Sequence, residues 1–318
     1  MQDNATATQA PAVGNVYRKE KLKRLVRNRW LYAMLLPGLL YFIIFKYIPM
    51  YGVLLAFKNY QPFLGFAGSE WVGLKHFERF FGDPLFWMLM KNTFILAMYN
   101  IVFFFPLPII VALMLNELRL AVYKQLIQTL IYIPHFMSWV VIVSIAYLFF
   151  TTEGGIVNEL IAALGGEKIN FLLSPDWFRP FITAEVMWKE TGWGTIIFLA
   201  ALAGVDTQLY EAAKMDGANR MHQLWHITLP AIRSTIVILL ILRMGHFLDT
   251  GFEQIYLSLN AMNREVAEVF DTYVYSTGIS QGQYSYSTAV GLFKSVVGLV
   301  LVAASNYLSK KFGEEGIL

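Results

Sequence analysis

Hydrophobic positions in this chain arrive as six long runs separated by polar connections. Trp30 to Pro49 holds one charge, Lys46, and Asn92 to Asn116 holds none. Gln125 to Thr152 has a single histidine, His135, and no acidic or basic residue. Phe181 to Val205 carries Glu185, Lys189 and Glu190. Ile232 to Phe252 carries Arg233, Arg243, His246 and Asp249, and Ser285 to Leu308 carries Lys294. As helices rising about 1.5 Å per residue, all six are long enough to cross about 30 Å of hydrocarbon. The pattern predicts an all-α integral membrane protein with six transmembrane helices.

The polar connections orient these spans. Arg18, Lys19, Lys21, Lys23, Arg24, Arg27 and Arg29 precede the first. By alternation Arg119, Lys124, Lys214, Arg220, Lys310 and Lys311 fall on the same side. The opposite side has only Lys58, Lys75, Arg79, Lys91, Lys168, Arg179 and Arg264, spread over longer loops. Basic flanks stay in the cytoplasm, so both termini are expected there. The first run is too long for a cleaved signal peptide and lacks a small-residue cleavage site after it. Residues 1–28 read as a flexible basic cytoplasmic tail, and 29–318 as the membrane domain. On the outer side, Phe77, Phe80, Phe81, Leu85 and Trp87 recur around Asp83-Pro84, which predicts short amphipathic helices at the interface.

Composition agrees with the pattern. Hydrophobic residues make up 57% and charged residues 15%, against about half and a quarter in soluble domains. With no cysteine, disulfide frameworks and thiolate metal sites are excluded. The net charge of +3 gives no reason to expect a nucleic-acid partner, and the surroundings are membrane lipid. The phosphate-binding, zinc-protease and serine-hydrolase signatures are absent. His222 and His226 stand four residues apart on an expected cytoplasmic helix, but no third ligand is near, so no metal site is assigned.

The connection between the fourth and fifth runs, residues 206–230, is the most informative segment. Asp206 can cap a short helix with Leu209, Ala212 and Ala213 on one face. Gly217 can end it in a left-handed conformation. Met221, Leu224, Trp225 and Thr228 then mark a second helix, and Pro230 suits the first turn of the next span. Small Ala212 and Ala213 would let another protein approach closely. On pattern alone, an ordinary helical connection fits as well.

Glu211-Ala212-Ala213, then Gly217 four residues after Ala213, then Ile227-x-Leu229-Pro230, resembles the EAA motif of binding-protein-dependent ABC importer permeases. Phe45 to Gly52, Phe81 to Trp87, Tyr132 to Trp139 and Gly282 to Gly291 resemble permeases for complex carbohydrates, in particular the first permease of rhamnogalacturonan or alginate importers. The resemblance implies a type I ABC importer permease fold in the bacterial cytoplasmic (inner) membrane. It implies coupling to an ATPase through Glu211, Ala212, Ala213, Asp216, Gly217, Leu229 and Pro230. It further implies a second homologous permease forming a heterodimer, two ATPase subunits that bind ATP and Mg, and an extracytoplasmic solute-binding protein. The chain itself would carry no cofactor and no catalysis.

Ionisable residues inside a bilayer usually face a protein interior or a wet cavity. Lys189, Glu190, Arg243 and Lys294 fall near mid-depth, and Glu185 lies four residues before Lys189, close enough to pair along one face. Arg243 and His246 share a face. These six residues are candidates for a substrate pathway. The alternative is that Lys189, Glu190 and Arg243 neutralise one another and fix helix packing. The expected function is ATP-driven import of an oligosaccharide, with acidic plant or algal fragments as substrate. Another solute class, such as a neutral sugar, is the alternative. A membrane-embedded sugar transferase would need clustered acids, histidines or a metal at one membrane face, which this sequence lacks.

Overall fold

The computed structural model describes residues 27–118 and 120–311, and these are almost entirely helical. Of the expected tail, 1–28, all but Arg27 and Asn28 lies outside the described residues. By contact the chain forms two units, Met1–Leu54 and Leu55–Leu318.

Helix α1, Arg29–Phe57, begins in the first unit. Leu35, Leu39, Phe42 and Phe45 all point outward there, the pattern of a helix whose solvent is hydrocarbon. Beyond it, a hairpin of β1, Lys58–Asn59, and β2, Glu70–Trp71, leads to α2, Lys75–Gly82. Then follow α3, Leu85–Glu117; α4, Ala121–Phe136; α5, Trp139–Phe150; α6, Ile156–Ala163; and α7, Pro175–Ala203. The remainder is α8, Thr207–Met215; α9, Arg220–Ala231; α10, Arg233–Gly245; α11, Phe252–Ser258; α12, Arg264–Ala267; α13, residues 270–280; and α14, Tyr284–Lys311.

Helices α1, α3 and α14 are each long and apolar enough to cross a membrane. Three bent pairs, α4 with α5, α7 with α8 and α9 with α10, bring the count to as many as six.

Two expected spans are broken. The run Gln125–Thr152 is two helices meeting at 103°. Pro134 lacks a backbone donor in the last turn of α4, Ser138 takes extended backbone, and its hydroxyl accepts from Val141 N to start α5. The run Ile232–Phe252 stops being helical at Gly245, and Gly251 takes φ +90 before α11 begins. Arg243 lies in the last turn of that helix and His246 is its cap, so the two do not share one continuous helix face.

The core of the second unit runs from end to end. Phe80, Phe86 and Leu89 pack with Phe270, Tyr286 and Val290 near the start of both α3 and α14. Phe80 is thus a core residue, while Phe81, Leu85 and Trp87 of the same pattern stay exposed. At the other end, Ala112, Phe198, Leu202 and Ile232 bring the ends of α3 and α7 against the start of α10. Arg220 reaches Glu117, at the end of α3, at 3.2 Å. The α8–α9 elbow and the start of α14 therefore lie at opposite ends of the bundle.

Candidate functional site: a coupling elbow and a charged interior

Each turn of the elbow follows from local chemistry. Asp206 Oδ1 accepts from Gln208 N at 2.9 Å and caps α8. Gly217 has φ +78; its N–H donates to Lys214 O, and Ala218 N–H donates to Ala213 O at 2.8 Å. Those paired bonds are the Schellman closure, which satisfies carbonyls the helix end would leave bare. Asn219 then caps α9 by accepting from His222 N at 2.9 Å.

Contacts between the arms hold the angle. Tyr210 Oη lies 3.0 Å from the buried Thr228 Oγ1, and Gln223 Nε2 donates to Ala218 O. Glu211, Ala212, Asp216 and Gly217 are exposed, Ala213 and Leu229 half-buried. Leu209, Met215, Met221 and Trp225 form an outward apolar surface around them. Pro230 falls just before a 56° bend rather than in the first turn of α10. The backbone at Ile232, φ −98 and ψ 5, breaks the helix there. His222 and His226 stack at 5.9 Å and spend one nitrogen each on Asn219 Oδ1 and His222 O.

The interior charges form three groups. In the first, Lys189 Nζ donates to the carbonyls of His135 at 2.7 Å and Met137 at 2.6 Å, where α4 ends. A cation there meets the negative end of a helix and its unsatisfied carbonyls. Lys189 also stands 3.8 Å from Glu190, whose carboxylate takes His135 Nδ1 at 2.8 Å. The His135 ring stacks on Trp193 at 4.6 Å.

In the second group Glu185, 8% exposed, accepts from Gln254 Nε2 at 2.7 Å. The expected Glu185–Lys189 pair does not form, because Lys189 turns to the α4–α5 bend while Glu185 turns to α11. Glu185 also lines an apolar cavity of about 330 Å³ with Phe149, Phe181 and Trp188.

In the third group Lys294 on α14 is held by both Asp249 and Asp271. His246 Nδ1 meets Asp249 at 2.8 Å. Arg243 pairs with no carboxylate at ion-pair distance among the described residues; its guanidinium lies 5.7 Å from the Phe104 ring, and the Asp249 and Glu190 charges act on it from further off. Of the expected mutual neutralisation of Lys189, Glu190 and Arg243, only the Lys189–Glu190 contact reaches ion-pair distance among the described residues.

The profile of binding-protein-dependent transport system inner membrane components matches residues 104–314. This chain belongs to that family.

The permease is 62% identical over 314 residues to the polygalacturonan/rhamnogalacturonan transport system permease protein YteP of Bacillus subtilis strain 168. That match covers 97% of the permease and 98% of its relative. The arabinooligosaccharides transport system permease protein AraP of the same organism is 28% identical over 90% of both chains. A chain in the crystal structure of a bacterial alginate ABC transporter, in complex with alginate pentasaccharide-bound periplasmic protein, has a TM-score of 0.86 and 39% identity. It covers 93% of the permease and 99% of the solved chain. The permease is therefore a mostly helical transport subunit with the type I importer fold, seated in the bacterial cytoplasmic membrane.

Sequence reasoning passed over Asp249, Asp271 and Gln254. Asp249 was visible as a charge in a hydrophobic run. Gln254 and Asp271 follow the run in what reads as a loop, and no local spacing marks them.

Proposed function

We propose that the permease is one of two homologous membrane subunits of an ATP-driven importer for oligosaccharides from acidic plant or algal polysaccharides. The observation that carries this is the end-to-end identity of 62% with a polygalacturonan/rhamnogalacturonan permease. The likeness to a chain of an alginate transporter supports the same sugar class. Two ATPase subunits bind ATP and Mg outside this chain, and an extracytoplasmic binding protein delivers the sugar. With each bent helix pair as one crossing, the chain spans the membrane six times and the elbow faces the cytoplasm.

The elbow supplies the mechanical link. Exposed Glu211, Ala212 and Gly217, with Ala213 behind them, dock into an ATPase cleft. Because the Tyr210–Thr228 bond ties α8 to α9, motion of the docked helix passes into α10 rather than bending the elbow. Alternating access follows if ATPase closure favours one of two packings of the bundle. Along the path, Arg243 and His246 offer donors, and Trp193 an aromatic face to a sugar ring. Lys189 acts differently: engaged by two carbonyls, it holds the α4–α5 bend that presents His135.

Uptake of labelled trigalacturonate by cells carrying the complete transporter, with and without this permease, tests the reading. Uptake should require the permease. Permease-dependent uptake of arabinotriose alone would contradict the acidic-sugar assignment.

A further inference from the structure

Polar and small residues line one face of α14. Tyr284, Ser287, Thr288, Gly291, Lys294, Ser295 and Gly298 follow one another at helical spacing on a span otherwise apolar. Two cavities open along this face. One, of about 400 Å³, lies at the end away from the elbow, between Phe252, Tyr275, Tyr284, Thr288 and Asp271. The other, of about 460 Å³, lies deeper, against His246, Asp249, Lys294 and Ser295. Asp271 lines both, so its ion pair with Lys294 stands between them.

The walls of the first cavity are built rather than incidental. Phe252 and Tyr275 line it and are backed by Tyr256, the three ring centroids lying 5.0 to 5.4 Å apart. Tyr60, on the loop joining the strands, packs edge-on to Tyr284 at 6.1 Å, and its N–H donates to Ser285 Oγ at 2.9 Å. Residues 276–280 form a wide π turn, a feature frequent at functional sites. It brings Gly278 so close to α14 that a Cβ there would sit 2.5 Å from Ser287 Oγ. Thr288 and Ser287 hydroxyls donate to Tyr284 O, leaving their lone pairs free to accept.

We infer that this cavity is a pyranose subsite, taking one sugar ring of the oligosaccharide as it enters the permease. The ring's C–H face lies on Tyr275 and Tyr284. Its hydroxyls donate to Thr288 Oγ1 and to the Asp271 carboxylate, and the Asp271–Lys294 pair is the floor it must pass to reach the deeper cavity. An aromatic wall beside acceptor oxygens suits a ring with one apolar face and a hydroxyl rim. This inference rests on the oligosaccharide reading and names where in the chain it acts.

The native chain has no cysteine, so Thr288→Cys places a single reporter in the subsite. The complete transporter carrying it is trapped with vanadate in the presence of binding protein, with or without trigalacturonate. Alkylation of this chain's peptide is then followed by mass spectrometry. Trigalacturonate should slow alkylation about tenfold, and Tyr275→Ala should remove that protection, the scale expected when a buried aromatic contact is lost. An unchanged rate in a complex that still accumulates trigalacturonate overturns the subsite, as does equal protection without sugar, which marks a cavity filled by lipid. If Thr288→Cys fails to assemble, Ile279→Cys on the exposed rim gives the same reading. A complex that accumulates arabinotriose but not trigalacturonate overturns the acidic-sugar assignment instead, and protection by arabinotriose then decides the subsite.

Discussion

Lys189 Nζ donates to the carbonyl oxygen of Met137 at 2.6 Å, so the cation buried in α7 closes the bend between α4 and α5. That bond and its neighbour to His135 O commit the ammonium of this pathway candidate to two helix-end carbonyls. Removing the charge leaves two helix-end carbonyls without a donor. Lys189→Met should destabilise the purified permease by about 2 kcal/mol, the range for hydrogen bonds to a charged group. It should lower uptake of charged and neutral oligosaccharides alike. Thermal unfolding in detergent checks the first outcome, and a selective loss of charged cargo with unchanged stability would contradict it.

Gly217 is demanded by its backbone alone. A Cβ there meets nothing within 4 Å, yet φ is +78. Gly217→Val should therefore be strained by about 1 kcal/mol or more, distorting the Schellman closure that presents Ala213. The ATPase should fail to co-purify, or its hydrolysis should no longer respond to loaded binding protein. Gly217→Asn, which tolerates the left-handed region better, should retain most of both. Equal behaviour of the two variants would argue against a conformational role.

Much of this elbow was legible in the sequence because its determinants are local. Asp206 caps the residue two ahead, and Gly217 and Asn219 act within five residues of their partners. The interior was legible only as a set of charges. Glu185 finds Gln254 from 69 residues away, and Lys294 finds Asp249 and Asp271, because helix rotation and crossing decide which faces meet. Hydropathy also concealed the two broken spans. The residues around the α4–α5 bend are as apolar as a straight helix, and what breaks it is one proline and one capping serine.

Topology is tested by labelling in this cysteine-free background. Asn219→Cys, exposed on the elbow, should react with an impermeant maleimide only after the cells are opened. Gly165→Cys, exposed just after α6, should react in intact cells. Asn263 is fully buried and would not report on either side. Labelling of position 219 from outside would overturn the orientation.

The connection after α5 carries a pH signature. Its core is Asn158, whose amide donates to Phe150, Thr151 and Ile169 carbonyls. Over it Lys168 meets Glu159 at 2.8 Å and Glu153 at 3.0 Å. The Lys168 ammonium holds the Glu159 carboxyl below its ordinary 4.5, and the two carboxylates hold Lys168 above its ordinary 10.5. A lowered acid stabilises fully above its unfolded value and less as pH falls through its folded one. A raised base stabilises fully below its unfolded value and is lost as pH rises through its folded one. Hydrogen-exchange protection of residues 151–171, corrected for intrinsic exchange, should be level between about pH 5 and 9 and decline below pH 4.5. In Lys168→Met the acid-side decline attributable to the pair should vanish.

Coupling through this permease should let ATP hydrolysis drive the import of an acidic oligosaccharide. Its most direct measurement is accumulation of labelled trigalacturonate in proteoliposomes holding the complete transporter, with ATP on the elbow side and loaded binding protein on the other. Trigalacturonate should accumulate above its external concentration, dependent on ATP and on binding protein, and not in the Gly217→Val complex. Equilibration without ATP, or undiminished ATP-driven accumulation in an intact Gly217→Val complex, would contradict it.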